Sequence, residues 1–119
     1  MATEDAHLKK AKTNQAFLET IPDEFSDWLA IVAFYTAVHL VEAIFARQGV
    51  PSHNHPQRNR RLKRRYPEIW RNFRPLYNAS TLLRYTDLQI DAKKIREELI
   101  ETRLKTVEDL VHSELSEGK

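Results

Sequence analysis

Apolar residues recur along this chain at helical rather than strand intervals. Leu8, Ala11, Leu18 and Ile21 fall roughly on one helix face. They predict a first helix over 3–21, with Thr3 able to cap it and Glu4 and Asp5 suited to the positive end of the helix dipole. Pro22 starts the connection. The stretch WLAIVAFYTAVHLVEAIFARQ is apolar nearly all round and predicts a second helix over 27–48, central in a bundle. Ser26 or Asp27 would cap it, and Gly49 is its expected C-terminal stop. A loop over 50–55 leads to a short helix over 56–65, with Asn54 or His55 as cap, Pro56 at its start, Leu62 and Tyr66 as anchors and Pro67 as terminator. Ile69, Phe73, Leu76 and Leu83 line one stripe over 68–85, in which Pro75 predicts a kink or a new start. After a turn at 86–90, Asp91 caps a last helix over 91–116. There Ile95, Leu99, Val107, Leu110 and Val111 face the core, with Ile100, Leu104 and Leu115 widening the stripe. The SEGK tail is expected to fray. The pattern predicts an all-α, up-and-down bundle of four or five helices, in one domain spanning 1–119.

Composition agrees with that reading. Two glycines, Gly49 and Gly118, are too few for the turns of a sandwich or barrel, and 41% hydrophobic residues exclude wholesale disorder. The absence of cysteine excludes disulfides, thiolate metal sites and a cysteine nucleophile. The opening MATEDAHLKK has no basic segment followed by an apolar run, so no signal peptide is visible and a cytoplasmic location is expected. Residues 28–46 are long enough to span a bilayer. His39 and Glu42 near the middle of that stretch, and the charged remainder of the chain, favour a core helix over a membrane one.

Charge changes the picture more. The formal net charge is only +2, yet residues 47–74 hold nine Lys/Arg against one acid, Glu68, while the rest holds ten against sixteen. This asymmetry points to an anionic partner.

Two constellations carry candidate chemistry. On the second helix, Tyr35, His39 and Glu42 are spaced i, i+4, i+7 and form a polar seam on an apolar rod. Such groups need partners, either in a structural network or along a ligand-binding or subunit surface. Downstream, PSHNHPQRNRRLKRRYP places His53 and His55 ahead of Arg58, Arg60, Arg61, Lys63, Arg64 and Arg65. His53, His55, His39 and Glu42 offer metal-ligand atoms, but a third fixed ligand is missing from H-x-H and the surrounding charge repels cations; no metal and no cofactor is expected. Arg58, Arg61 and Arg65 share one face, suit phosphate geometry, and predict binding of RNA or a nucleotide. Tyr66, Trp70 and Tyr77 could stack on unpaired bases or belong to the core. A histidine beside an arginine can also cleave RNA without metal, with proton transfer by histidine and charge stabilisation by arginine. Arg47 with His53, and Arg58 with His55, are the pairs the sequence offers.

The run AFYTAVHLVEAIFARQGVPSHNH, then LYNASTLLRYTDLQI and a long last helix, resembles the HEPN domains, small all-α nucleotide-binding modules. The resemblance covers about residues 10–115. It sets Arg84, Tyr85 and Asp87 where the family has an R-x-x-D turn, and so adds Arg84 to the ligand-binding candidates. It implies a homodimer, a toxin–antitoxin or defence context, and in some members a nucleotidyltransferase as partner protein. Catalytic members are metal-independent ribonucleases carrying Arg-x(4–6)-His. Arg47 to His53 meets that spacing, but in the loop after the second helix rather than beside a late one.

Overall fold

The computed structural model describes residues 2–117. Every regular element among them is helical. Helix α1 (Glu4–Leu18) starts as expected, with the Thr3 side chain accepting from the Ala6 N–H at 3.1 Å, but it ends three residues early. Ile21 is buried from the loop instead, because Pro22 pulls the chain into a 3₁₀ turn at Asp23–Phe25. Helix α2 (Ser26–Arg47) follows directly. Gly49 stops it with φ +73°, a left-handed conformation that costs glycine nothing.

Helix α3 (His55–Arg65) is capped by Asn54, whose Oδ1 accepts from the Gln57 N–H at 2.8 Å. Helix α4 runs over Pro67–Tyr85 with Pro75 inside it, so no new helix starts there. Pro75 leaves the Arg71 carbonyl without its helical donor. That loss falls near the outer stripe of exposed Arg71, Arg74 and Asn78, where water can take the bond. The connection over 86–91 leads to α5 (92–117), with the Asp91 carboxylate accepting from the Lys93 N–H. The described part of the SEGK tail, to Glu117, is helical; residues 118 and 119 lie outside the described residues.

The winding of α5 is the largest departure from the sequence reading. It is an α-helix at Ala92–Lys94, a π-helix at Ile95–Leu104, and an α-helix again at Lys105–Glu117. Ile95 and Leu104 are both buried. Nine residues apart, they would face opposite sides at about 100° per residue. Bonding to the fifth residue, at about 4.4 residues per turn, returns Leu104 to the core side in phase with Val107, Val111 and Leu115.

Helix α2 is the hub, packed by α1, α4 and α5, while α3 lies against α4. Asp23–Arg47 is the one stretch among the described residues long and apolar enough to cross a membrane. Of its most apolar window, 72% is buried within the bundle. The radius of gyration, 13.8 Å, matches the roughly 13.5 Å of a compact chain this long.

Candidate anion-binding site

Three helices each bring two chemical groups to one place. Tyr35 and Glu42 lie two turns apart on α2, His55 and Arg58 one turn apart on α3, and Tyr77 and Arg84 two turns apart on α4. These spacings keep each pair on one helix face. Four of the groups meet around Phe34, whose ring lies 5.2 Å from Tyr35, 5.9 Å from His55 and 5.6 Å from Tyr77, centroid to centroid, and 5.7 Å from the Arg58 guanidinium.

Arg58 is the centre. Only 3% exposed, its guanidinium sits 5.7 Å from the Phe34 centroid and 5.3 Å from that of Phe73. Its Nη2 donates to Asn59 Oδ1 at 3.3 Å, its buried Nε has no hydrogen-bond partner, and no ion pair among the described residues includes it. Burial pushes its pKa down, opposed first by the negative charge of Glu42. Glu42 itself accepts from Ser52 Oγ at 2.6 Å.

His55 is half-buried, with an unpartnered Nδ1. Burial lowers its pKa, and the charges of Arg58 and Arg84 lower it further, with Glu42 pulling the other way. Arg84 donates from Nη1 to the Tyr35 hydroxyl at 3.2 Å, and its guanidinium lies 5.9 Å from the Tyr35 ring and 5.4 Å from that of Tyr85. Arg58, His55 and two phenols thus gather around the Phe34 ring, with Arg84 joined to one of those phenols and its charge felt at His55. That donor set suits an anion with several oxygens, and Tyr35, Tyr77 and Arg84 are each only half-buried. The wider recesses between α1 and α5, of about 510 and 600 Å³, share no residue with this cluster.

Other expected site residues lie elsewhere. His39 leaves the seam: its Nδ1 faces His7 Nδ1 on α1 at 3.0 Å, and burial followed by the charges of His7 and Lys10 lowers its pKa. Arg47 is structural. Its Nε and Nη2 donate to the Glu4 carboxylate at 2.6 and 2.7 Å, and its Nη1 donates to the Leu115 carbonyl. The hydrogen bond to Glu4 holds its pKa above the ordinary value. No hydrogen bond among the described residues joins Arg47 to His53 or His55, so the Arg47–His53 pairing is not formed. His53 is exposed, its backbone N–H donating to Gln57 Oε1.

The expected surface stripe of Arg58, Arg61 and Arg65 is corrected as well. Leu62 is the sole buried apolar residue of α3, so Arg58 and Arg61 lay their stems against the core and their charge on aromatic faces. Arg61 sits 4.9 Å from the Phe45 centroid and donates to the Val50 carbonyl. Arg65 stays exposed with Arg60, Lys63 and Arg64. Tyr66 packs near Phe45 and accepts from Gln48 Nε2, while Trp70 packs near Phe73. Ser52 and the buried, unpartnered hydroxyls of Ser80 and Thr81 were not anticipated. Their signal was the α4 register Tyr77, Ser80/Thr81, Arg84, one helix face with an arginine at its end.

No family model, curated protein or solved structure gives a significant match to this chain. The geometry carries the functional reading.

Proposed function

We propose that this chain is a HEPN-like helical module that binds RNA or a nucleotide, holding a phosphate at Arg58, His55 and Arg84. Arg58 carries the reading. A guanidinium 3% exposed, on aromatic faces and without a carboxylate in contact, is expensive to keep. A phosphate beside it would supply the missing countercharge and accept the unused N–H. The exposed cations Arg60, Lys63, Arg64 and Arg65 suit the flanking phosphates of a strand, and half-buried Tyr35 and Tyr77 suit a base or ribose.

Fluorescence anisotropy with a labelled single-stranded RNA, and competition by AMP, test this. Wild type should bind RNA with an affinity that falls steeply with salt. Arg58→Met and Arg84→Ala should each lose AMP competition, while Glu at positions 60, 63 and 64 should weaken RNA alone. Unchanged AMP competition in Arg58→Met would assign Arg58 to the fold and end the proposal.

His55 favours a second reading, metal-independent cleavage of RNA. An imidazole biased toward neutrality beside two arginines is equipped to take a proton from a 2′-hydroxyl while guanidinium stabilises the developing charge. It calls for RNA cleavage in EDTA that disappears in His55→Ala and survives in His53→Ala. RNA left intact by wild type rejects it.

A further inference from the structure

At the opposite chemical extreme from α3 lies an apolar recess of about 360 Å³, lined by Phe17, Thr20, Ile21, Pro22, Phe25 and Trp28. Phe17, Phe25 and Trp28 are 52%, 48% and 53% exposed. Single exposed aromatics are ordinary, but three around one recess mark a contact surface. The end of α1, the 3₁₀ turn and the start of α2 fix its shape, with Ile21 buried beneath and Arg96 tying the turn down by donating to Asp23 Oδ1 and to the Ile21 carbonyl, both at 2.9 Å. A recess already shaped costs a partner little ordering.

We infer that this recess docks an amphipathic segment of a partner protein, apolar on one face and flanked by lysine or arginine. Charge decides among occupants. Residues 17–28 contain four acids, Glu19, Asp23, Glu24 and Asp27, and no lysine or arginine. Asp23 pairs with Arg96, while Glu19, Glu24 and Asp27 are exposed and in no ion pair among the described residues. None of these acids lines the recess itself, but exposed carboxylates interleaved in sequence with its lining residues complement cationic flanks and repel nucleic acid and anionic lipid surfaces. A second copy fits poorly. Symmetric pairing would set acid against acid, and the chain's own basic stretch, 58–74, contributes none of the large exposed apolar side chains needed as anchors. This inference does not depend on the RNA or nucleotide reading.

The probe is a fluorescein-labelled synthetic helix of about fifteen residues, with leucines at the i, i+3, i+4, i+7 spacing and lysines elsewhere. Wild type should bind it, and binding should weaken with salt. Trp28→Ala and Phe25→Ser should each raise Kd by about tenfold or more, and Glu19→Lys with Glu24→Lys should abolish binding. All four side chains are exposed, and circular dichroism checks that the variants fold. RNA affinity should be unchanged in Trp28→Ala and Phe25→Ser, which keep the net charge, and this separates the surface from the Arg58 site. Absence of binding, equal binding of a peptide with glutamate in place of lysine, or equal binding by Trp28→Ala overturns the inference. So does a wild-type dimer in sedimentation that Trp28→Ala dissolves, since a second copy would then be the occupant.

Discussion

Arg58 and the histidines set the terms at the scale of single residues. A buried cation without a carboxylate in contact lowers stability, so Arg58→Met should raise it, by on the order of 1 kcal/mol in chemical denaturation. A variant more stable and unable to bind would identify Arg58 as kept for a ligand. His39 and His55 both have pKa values depressed on folding, chiefly by burial. The unfolded chain then binds more protons, so stability rises with pH through the histidine range and is lost as pH falls below the unfolded value near 6.5. Melting temperatures measured between pH 8 and pH 5 should fall toward the acid end, and a His39→Gln, His55→Gln double variant should flatten that fall. Ligand binding should run the other way: a phosphate near His55 favours the imidazolium, so AMP affinity should increase from pH 8 to pH 6. Of the candidate residues, Tyr35, His55 and Arg58 meet around Phe34, and Arg84 joins them through the Tyr35 hydroxyl. Their residue types and helical spacing were readable; what was not readable was rotation. One leucine was too little to anchor α3, and that shortage turned Arg58 and Arg61 inward.

Elements were legible where a local rule decides them. Thr3 and Asp91 cap the helices they were expected to cap and Asn54, not His55, caps α3, because a side-chain oxygen beside free N–H groups is a local interaction; the cap expected from Ser26 or Asp27 is not made, since α2 starts at Ser26 after Phe25. Gly49 is the same kind of rule, and an added Cβ there would meet no atom within 4 Å. Gly49→Ala should therefore cost only the backbone term, about 1 kcal/mol by equilibrium unfolding, and Gly49→Asn less. The missed features are those that tertiary packing decides. No new helix starts at Pro75, one of the two outcomes its ring predicts, because the stripe of Ile69, Phe73, Leu76 and Leu83 holds both halves to one core. The π segment had a visible signal: at about 100° per residue Ile95 is a third to a half of a turn out of phase with Leu104, Val107, Val111 and Leu115. It was read as a wide apolar face because Leu99 and Ile100 fill the interval.

For the whole molecule, charge separation is the organising property. The basic stretch 47–74 and the acidic stretch 17–28 are separate segments, so a nearly neutral total conceals two charge blocks of opposite sign. Long-range steering should bring polyanions to one and cationic partners to the other, both effects shrinking as salt shortens the screening length. The all-α bundle was legible because helical periodicity and scarce glycine both exclude a sheet. The separation of the two blocks was legible only as composition, since which faces they occupy depends on packing.

The Arg47 clamp bears on how the polypeptide can be rewired. One guanidinium reaches both Glu4, near the start of α1, and the backbone of Leu115, near the end of α5. The two ends of the bundle's path therefore lie side by side, and a short linker could join them while new ends open in the irregular connection at 86–91. Any sequence fused before α1 or after α5 would leave from that same corner.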